Sequence, residues 1–573
     1  MKFFAKATGP ARRDFQAAAC SALIALPFLF PISAGPSVNA WQQFASWLCI
    51  ALLSVLLVRP GGAAPQQLLM SWLAVAALVI ALFHSHQLGV GSWLSAVIAI
   101  TATGMVACFG ARLSSSSARM HDALALGLLC AGLISAVLGL LQYYGLAAIL
   151  VPWTNAPDLG QAFGNLRQRN QFASLISMAL VAALWFYPRE GKGAAYGRSM
   201  WLGAVVLLVA AAAASTSRTG LLQFLLIISV TAFMAKRERR RKDRAAVRLP
   251  TPFLLLSLVP LYFAIAWALP QLAGGGVDSM VQRLSEGAPV GHSRWILWQN
   301  VMSLIAERPW SGWGWGELSF AHYSHSALYV GPRFVEILDN AHNLPLHLAV
   351  ELGIPAAVLI CGGFLWLVIS ARPWSERDPL RLMAWGLLCI IVLHSLLEYP
   401  LWYGPFQLVF GLCVGILWAP SLQQVGSGRE WWLSRSITWP VIAAAALLAV
   451  VGYASWDYVR ISQIYMPRDE RLPGYEDDTL AKARSSWLFA NQAGFAELTL
   501  TPVTSANAAG IYALAKHVLH FSPEPRVIVK LIESAELLGL HEEARTEAER
   551  FRIAFPLEYE LWAVGKPLDS SLP

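Results

Sequence analysis

Charge is scarce in this sequence. Of its 573 residues only 13% are Asp, Glu, Lys or Arg, while 56% are hydrophobic, and the mean hydropathy is +0.52. A chain this long and this poor in charge is not one soluble globular domain. Cysteine is scarce too. The seven residues Cys20, Cys49, Cys108, Cys130, Cys361, Cys389 and Cys413 all fall in apolar runs. The polar stretches therefore have no thiols for a disulfide framework or a cysteine metal site. Acidic residues are outnumbered, 34 against 42 basic, giving a formal net charge of +8.

What is abundant is apolar sequence in runs long enough to cross about 30 Å of hydrocarbon. They lie near 16–33, 41–58, 67–84, 93–110, 122–143, 170–187, 200–215, 219–235, 252–270, 346–370, 380–396, 402–419 and 438–455. The fold class read from them is an all-α polytopic membrane protein with about 13 transmembrane helices. The first run lacks a small-residue cleavage motif and more runs follow at once, so it reads as a retained helix. Two domains are expected: 1–455, a membrane domain with a large loop at about 272–345, and 456–573, a small helical domain.

Orientation follows from the basic residues, which collect in cytoplasmic loops. One set of connections holds Arg12, Arg13, Arg59, Arg112, Arg119, Arg189, Lys192, Arg198, the run Lys236 to Arg244, Arg372, Arg377, Arg381, Arg429 and Arg435. The opposite set holds few: Arg167, Arg169, Arg218, Arg283, Arg294, Arg308 and Arg333. The large loop and, after an odd number of crossings, the C-terminal domain are therefore expected outside the cytoplasm. The same bias accounts for the net charge, and no nucleic-acid partner is needed.

The sparsely basic side is where polar chemistry gathers. At the start of the sixth run stands Phe163-Gly164-Asn165-Leu166-Arg167-Gln168-Arg169-Asn170-Gln171, costly at a membrane unless something polar meets it. Anchoring at headgroups by snorkelling also fits. The turn Ser215-Thr216-Ser217-Arg218-Thr219-Gly220 is too short to leave the bilayer surface. A guanidinium fork there suits phosphate oxygens, beside hydroxyls at a helix start that itself favours an anion, although ordinary lipid phosphate would satisfy it too. The large loop carries His292-Ser293-Arg294-Trp295, then Trp310-Ser311-Gly312-Trp313-Gly314-Trp315-Gly316, and ends in Asp339-Asn340-Ala341-His342-Asn343. Trp313 and Trp315 beside glycines suit stacking on sugar rings; tryptophan is also common at membrane interfaces generally. His342 is placed at the inner end of the loop, covering a site at a membrane surface. Histidine spacing in the loop is poor for a metal, and no Asp-x-Asp pattern occurs there, so no metal or other cofactor is expected. Glu398 and Tyr399, in the turn after the eleventh run, sit where a further polar group can join. The C-terminal domain includes one helix-turn-helix stretch, Leu531 to Ala544, like a single tetratricopeptide-type hairpin.

These motifs resemble the O-antigen ligase and polymerase superfamily: the Arg167 to Gln171 set, the turn at Arg218, the Arg294 and Trp313/Trp315 elements, and above all Asp339 to Asn343. The turn Leu397-Glu398-Tyr399-Pro400-Leu401-Trp402 and the tail from Tyr458 are closer to its protein O-oligosaccharyltransferase branch, the PglL type. The resemblance covers about 160 to 490. It implies an inverting, metal-independent transferase of the bacterial inner membrane with its site facing the periplasm. The donor implied is an undecaprenyl-diphosphate-linked oligosaccharide, and the acceptor a Ser or Thr hydroxyl of a pilin or other periplasmic protein. Functionally required residues of that branch map onto His342, Arg218, Gln171 and Tyr399, with Gln168 and Tyr403 as near neighbours of the last two.

Elementary chemistry agrees with that implication. Departure of a lipid diphosphate develops negative charge, which Arg218, Arg167, Arg169 and Arg294 are suited to stabilise. An imidazole at His342 is suited to take the acceptor proton or to orient the acceptor. Sister activities, ligation of O-antigen to lipid A core or polymerisation of repeat units, share donor and site and differ in acceptor. A transporter would carry ionisable groups near mid-membrane, whereas here they collect at one surface.

Overall fold

The computed structural model describes residues 10–57, 67–84, 87–188, 194–240, 249–273, 277, 280, 293–326, 331–419 and 438–566. Arg59, Arg189, Lys192, Arg283, His292, Arg429, Arg435 and the basic run beyond Arg240 lie outside the described residues. Each of the thirteen apolar runs falls on helix: α1 Pro10–Leu29, α2 Ala40–Leu56, α3 Gln67–Leu82, α4 Val90–Ser114, α5 Ala118–Tyr143, α6 Arg169–Trp185, α7 Ala194–Ala214, α8 Arg218–Arg239 and α9 Pro252–Leu272. In the loop follow α10 Arg294–Glu307 and α11 Leu318–Ser324. After it come α12 Leu344–Leu352 and α13, which starts at Ile354, passes through a π turn at Val358–Gly362 and ends at Ala371; then α14 Pro379–Ser395, α15 Gly404–Leu417 and α16 Thr438–Ser462. Among the described residues, seven helices are long and apolar enough to cross a membrane. No strand occurs among them, only an isolated bridge between His84 and Trp315.

One run departs from expectation. The stretch 346–370 is not a single helix: it breaks at Gly353, whose φ of +84° is a conformation that only glycine adopts cheaply. A Cβ there would also meet the Trp310 carbonyl oxygen at 2.3 Å. At the break α12 receives the tryptophan-rich segment, which is pinned by Trp313 N–H donating to Val350 O and Gly314 N–H to Glu351 O, each at 2.9 Å.

Small residues bring the helices together, since apolar burial gives little drive between helices in lipid. On α15, Gly411 and Gly415, four apart, face α4, where a Cβ on Gly415 would meet Ala107 O at 2.0 Å. Gly110 of α4 answers them against Leu412. The two ends of the bundle differ chemically. At one end Arg119 pairs with Asp14, Arg237 donates to Trp374 O and Arg381 to Ile416 and Leu417 O. The other end gathers the turns between α1 and α2, α5 and α6, α7 and α8, and α14 and α15, with the loop and tail upon them.

The tail is five helices, α17 Thr479–Ala483 not counted: α18 Ala490–Leu500, α19 Ala508–Phe521, α20 Pro525–Leu537, α21 His541–Ala554 and α22 Pro556–Ala563. Successive helices pack on one another about Ile511, Val518, Val527, Leu531 and Phe551. Tyr323 of the large loop belongs to this core. Tyr323 donates to Glu547 at 2.9 Å, His520 meets Glu317 at 2.8 Å, and Arg333 donates to Ala554 O at 2.9 Å.

Candidate functional site

The polar groups of the turns and loop converge on one carboxylate. Glu398, in the connection between α14 and α15, is 5% exposed. Its Oε2 accepts from His342 Nδ1 at 2.8 Å. Its Oε1 accepts from Asn170 Nδ2 at 2.9 Å and from the Arg294 guanidinium. Asn170 in turn accepts at Oδ1 from the Ser217 hydroxyl at 2.6 Å, and the Ser217 oxygen caps α8 by accepting from Gly220 N–H at 2.9 Å. Residues more than two hundred positions apart thus form one connected network.

Local chemistry sets each member. Asn170 lies in the first turn of α6, whose cap Gln168 accepts from Gln171 N–H at 2.9 Å. Arg294 is the first residue of α10, behind the cap Ser293. His342 is held with φ +49° by its N–H donating to Asn340 Oδ1 at 2.9 Å, and Asn343 caps α12 by accepting from Leu346 N–H at 3.1 Å. A left-handed non-glycine residue costs about 1–3 kcal/mol and persists where its surroundings over-determine it. Arg167 and Thr216, at the neighbouring turns, have φ of +58° and +47°.

An ionised carboxylate only accepts hydrogen bonds. His342 Nδ1 is therefore a donor, and in the neutral imidazole Nε2 keeps its lone pair. His342 remains partly exposed, its side chain 26% accessible. The Tyr399 ring stands edge-on to it at 5.1 Å and stacks on Tyr403 at 5.8 Å. Tyr403 neighbours both Tyr399 and buried Gln171. Burial, then the Tyr403 and acidic neighbours, raise the Tyr399 phenol, so it stays a donor. Burial alone would raise Glu398; the hydrogen bond from His342 and the Arg294 charge outweigh it and hold the carboxyl below its usual range.

The structure thus brings His342, Tyr399, Gln171 and Arg294 together. Arg218, exposed, is the first residue of α8, one residue past Ser217, and Arg169 is the first residue of α6. Arg167 is engaged elsewhere, donating to Pro31 O at 2.6 Å and Val38 O at 3.4 Å and so tying the α1–α2 turn. The tryptophans are engaged too. Trp315, 8% exposed, stacks on Trp402 at 6.0 Å, a packing position rather than an open sugar platform. Trp313 donates to Leu304 O at 3.0 Å and lies under the Arg308 guanidinium at 3.9 Å.

The sequence motifs mark Glu398 as a further polar group without a part of its own and give Asn170 none. The signal was present: a carboxylate in an otherwise apolar turn must find partners or pay heavily for desolvation.

Comparison with known proteins follows the same geography. A family model described as Protein glycosylation ligase matches residues 162–187, which hold Asn170 and Gln171. One described as O-Antigen ligase matches 203–361, with Arg218, Arg294 and His342. A third, Virulence factor membrane-bound polymerase, C-terminal, matches 382–568, with Glu398 and Tyr399. A General O-oligosaccharyltransferase of Acinetobacter baylyi is 26% identical over 459 residues, 75% of this chain and 74% of that protein. A ComP-specific O-oligosaccharyltransferase of the same organism is 24% identical over 259 residues, 45% and 44% of the two chains. The resemblance carried by the motifs therefore extends over most of the chain.

Proposed function

We infer that this chain, kin to the protein glycosylation ligases and O-antigen ligases, is a glycosyltransferase that moves an oligosaccharide from a lipid carrier to protein hydroxyls. The donor is undecaprenyl-diphosphate-linked glycan, and the acceptor a Ser or Thr of a periplasmic protein such as a pilin. The enzyme is read as crossing the bacterial inner membrane about thirteen times, with the site on the periplasmic side. The observation that carries this reading is the convergence of His342, Arg294, Tyr399 and the capped starts of α6 and α8 around Glu398.

The reaction is a single displacement. The acceptor oxygen attacks the anomeric carbon, its proton passes to His342 Nε2, and the bond from that carbon to the diphosphate oxygen breaks with its electrons on the leaving lipid diphosphate. Arg218 and Arg169, at the starts of helices whose dipoles favour an anion, hold the departing charge. Fixed guanidinium groups in a partly dehydrated site make such stabilisation large. A cavity of about 2520 Å³ reaches Tyr399, Trp402 and Tyr403 from between the helices and is lined mainly by apolar side chains such as Trp72, Ile80, Phe364 and Leu388. A polyprenyl chain suits it.

Ligation to lipid A core is the rival reading, favoured by the O-antigen ligase match over 203–361. The deciding experiment is expression with a glycan-loaded carrier, followed by mass spectrometry of pilin-like proteins and of lipopolysaccharide. Glycan on Ser or Thr supports protein transfer; glycan on lipopolysaccharide alone overturns it.

A further inference from the structure

We propose that Glu398 is the positioning residue of the reaction: it fixes the His342 tautomer so that Nε2 faces the acceptor hydroxyl, and through Asn170 and Ser217 it ties that base to the helix start bearing Arg218. The proposal rests on the transferase reading above and adds the residue that makes His342 a base.

The geometry constrains both oxygens. Oε2 is given to His342 Nδ1 at 2.8 Å, which leaves Nε2 as the only nitrogen able to accept a proton. Oε1 is occupied by two donors, Asn170 Nδ2 at 2.9 Å and the Arg294 guanidinium. As the acceptor loses its proton, His342 becomes positive, and a nearly buried carboxylate 2.8 Å from it stabilises that charge, the part an acidic partner plays beside a catalytic histidine. Asn170 carries the second link. Its amide spans Glu398 and the Ser217 hydroxyl, at 2.9 and 2.6 Å, so acceptor activation and the Arg218 helix end share one rigid connection.

The Oε1 donors make the isosteric change decisive. In Glu398→Gln the amide oxygen must face Asn170 and Arg294, because both donate; the NH2 then faces His342 Nδ1. An NH2 donates, so the imidazole is driven to the tautomer with its proton on Nε2, which cannot accept from the acceptor. Glu398→Asp keeps the carboxylate and loses only reach. A brace of purely structural use would show the opposite order, with the isosteric glutamine better tolerated than the shortened aspartate.

The test compares wild type, Glu398→Gln and Glu398→Asp in detergent with lipid-linked oligosaccharide and a pilin acceptor. Alongside transfer, the rate at which diethyl pyrocarbonate modifies His342 is followed by peptide mass spectrometry. Glu398→Gln should lower kcat by roughly 10²-fold or more, the scale of general-base assistance, with donor KM within a few-fold of wild type, while Glu398→Asp retains part of the rate. His342 modification at neutral pH should be several-fold slower in Glu398→Gln, because Nε2 no longer offers a lone pair. Glutamine equal to or better than aspartate, a loss confined to donor KM, or an unchanged modification rate in a variant with wild-type melting would overturn the proposal. The modification readout needs no turnover. Wild type that transfers nothing while the modification rates differ as expected would sink the transferase reading and leave the Glu398–His342 relation standing.

Discussion

At the scale of single residues the proposed reaction assigns acceptor activation to His342 and donor binding to the arginines. His342→Ala should abolish transfer, since base assistance is worth about 10²–10⁴ in rate, while binding of undecaprenyl diphosphate persists because the arginines remain. The fold should survive, because the His342 side chain is partly exposed and packs no core. Retained binding by His342→Ala beside weakened binding by Arg218→Ala is the pattern to measure; the reverse pattern would exchange their roles. Arg218→Lys keeps the charge and loses the planar fork, so activity should fall, with about 10²–10³ as the scale for losing one strong donor. A third expectation concerns pH. The Glu398 carboxyl is held below its usual range, so the stability it lends is present above the ordinary carboxylate pKa and is lost as pH falls through the lowered one. Melting temperature measured from pH 6 downward should drop on acidification, and more shallowly in Glu398→Gln.

At the scale of elements, the starts and ends that carry the site are held in register by a second polar layer. Ser174 lies one turn below Gln171 on α6, Gln223 below Arg218 on α8, and His394 one turn before Glu398 on α14. Ser174 bonds Gln223 at 2.8 Å and His394 Nδ1 at 2.8 Å, and Gln223 donates to Ile390 O at 3.3 Å. All three are buried, where an unpaired polar group is expensive. Gln223→Leu should therefore lower the melting temperature and reduce turnover together, whereas Arg218→Lys should reduce turnover alone. The loop has its own hinge. Gly353→Ala adds a Cβ at φ +84° that meets Trp310, in a backbone region essentially reserved for glycine that costs roughly 1–3 kcal/mol before any clash. The tryptophan-rich segment should loosen, read as faster proteolysis near Trp310 in the variant.

At the scale of the whole molecule, loop and tail are tied together. His322, 1% exposed, lies between Arg333 Nη2 at 3.2 Å and Asn300 Oδ1 at 3.2 Å, and Arg333 reaches the tail at Ala554 O. Burial, then the Arg333 charge, keep His322 well below its usual pKa and neutral. Asn300 is on α10, the helix that begins with Arg294, so the tail is connected by hydrogen bonds to the helix that carries a site residue. A periplasm-active reporter fused after Trp456 should be active and one fused after Arg239 inactive; the reverse would overturn the membrane orientation and the location of the site.

The sequence alone determined the helices and the side of the molecule where chemistry gathers, because apolar run length and the segregation of basic residues are local quantities that a bilayer enforces on each segment separately. It also marked His342, Arg218, Gln171, Tyr399 and Arg294 through short motifs. Tertiary structure decided which of these meet. The partnership of Glu398 with His342, Arg294 and Asn170 joins positions up to 228 residues apart, and no local pattern encodes such a distance. Only packing could show that Arg167 serves the α1–α2 turn and Trp315 a buried stack, since arginine at a helix entry and tryptophan beside glycine look alike in sequence whether they face a ligand or a neighbour. The break at Gly353 was hidden for the same reason: hydropathy runs unbroken through it, and the turn is set by what the tryptophan-rich segment must touch.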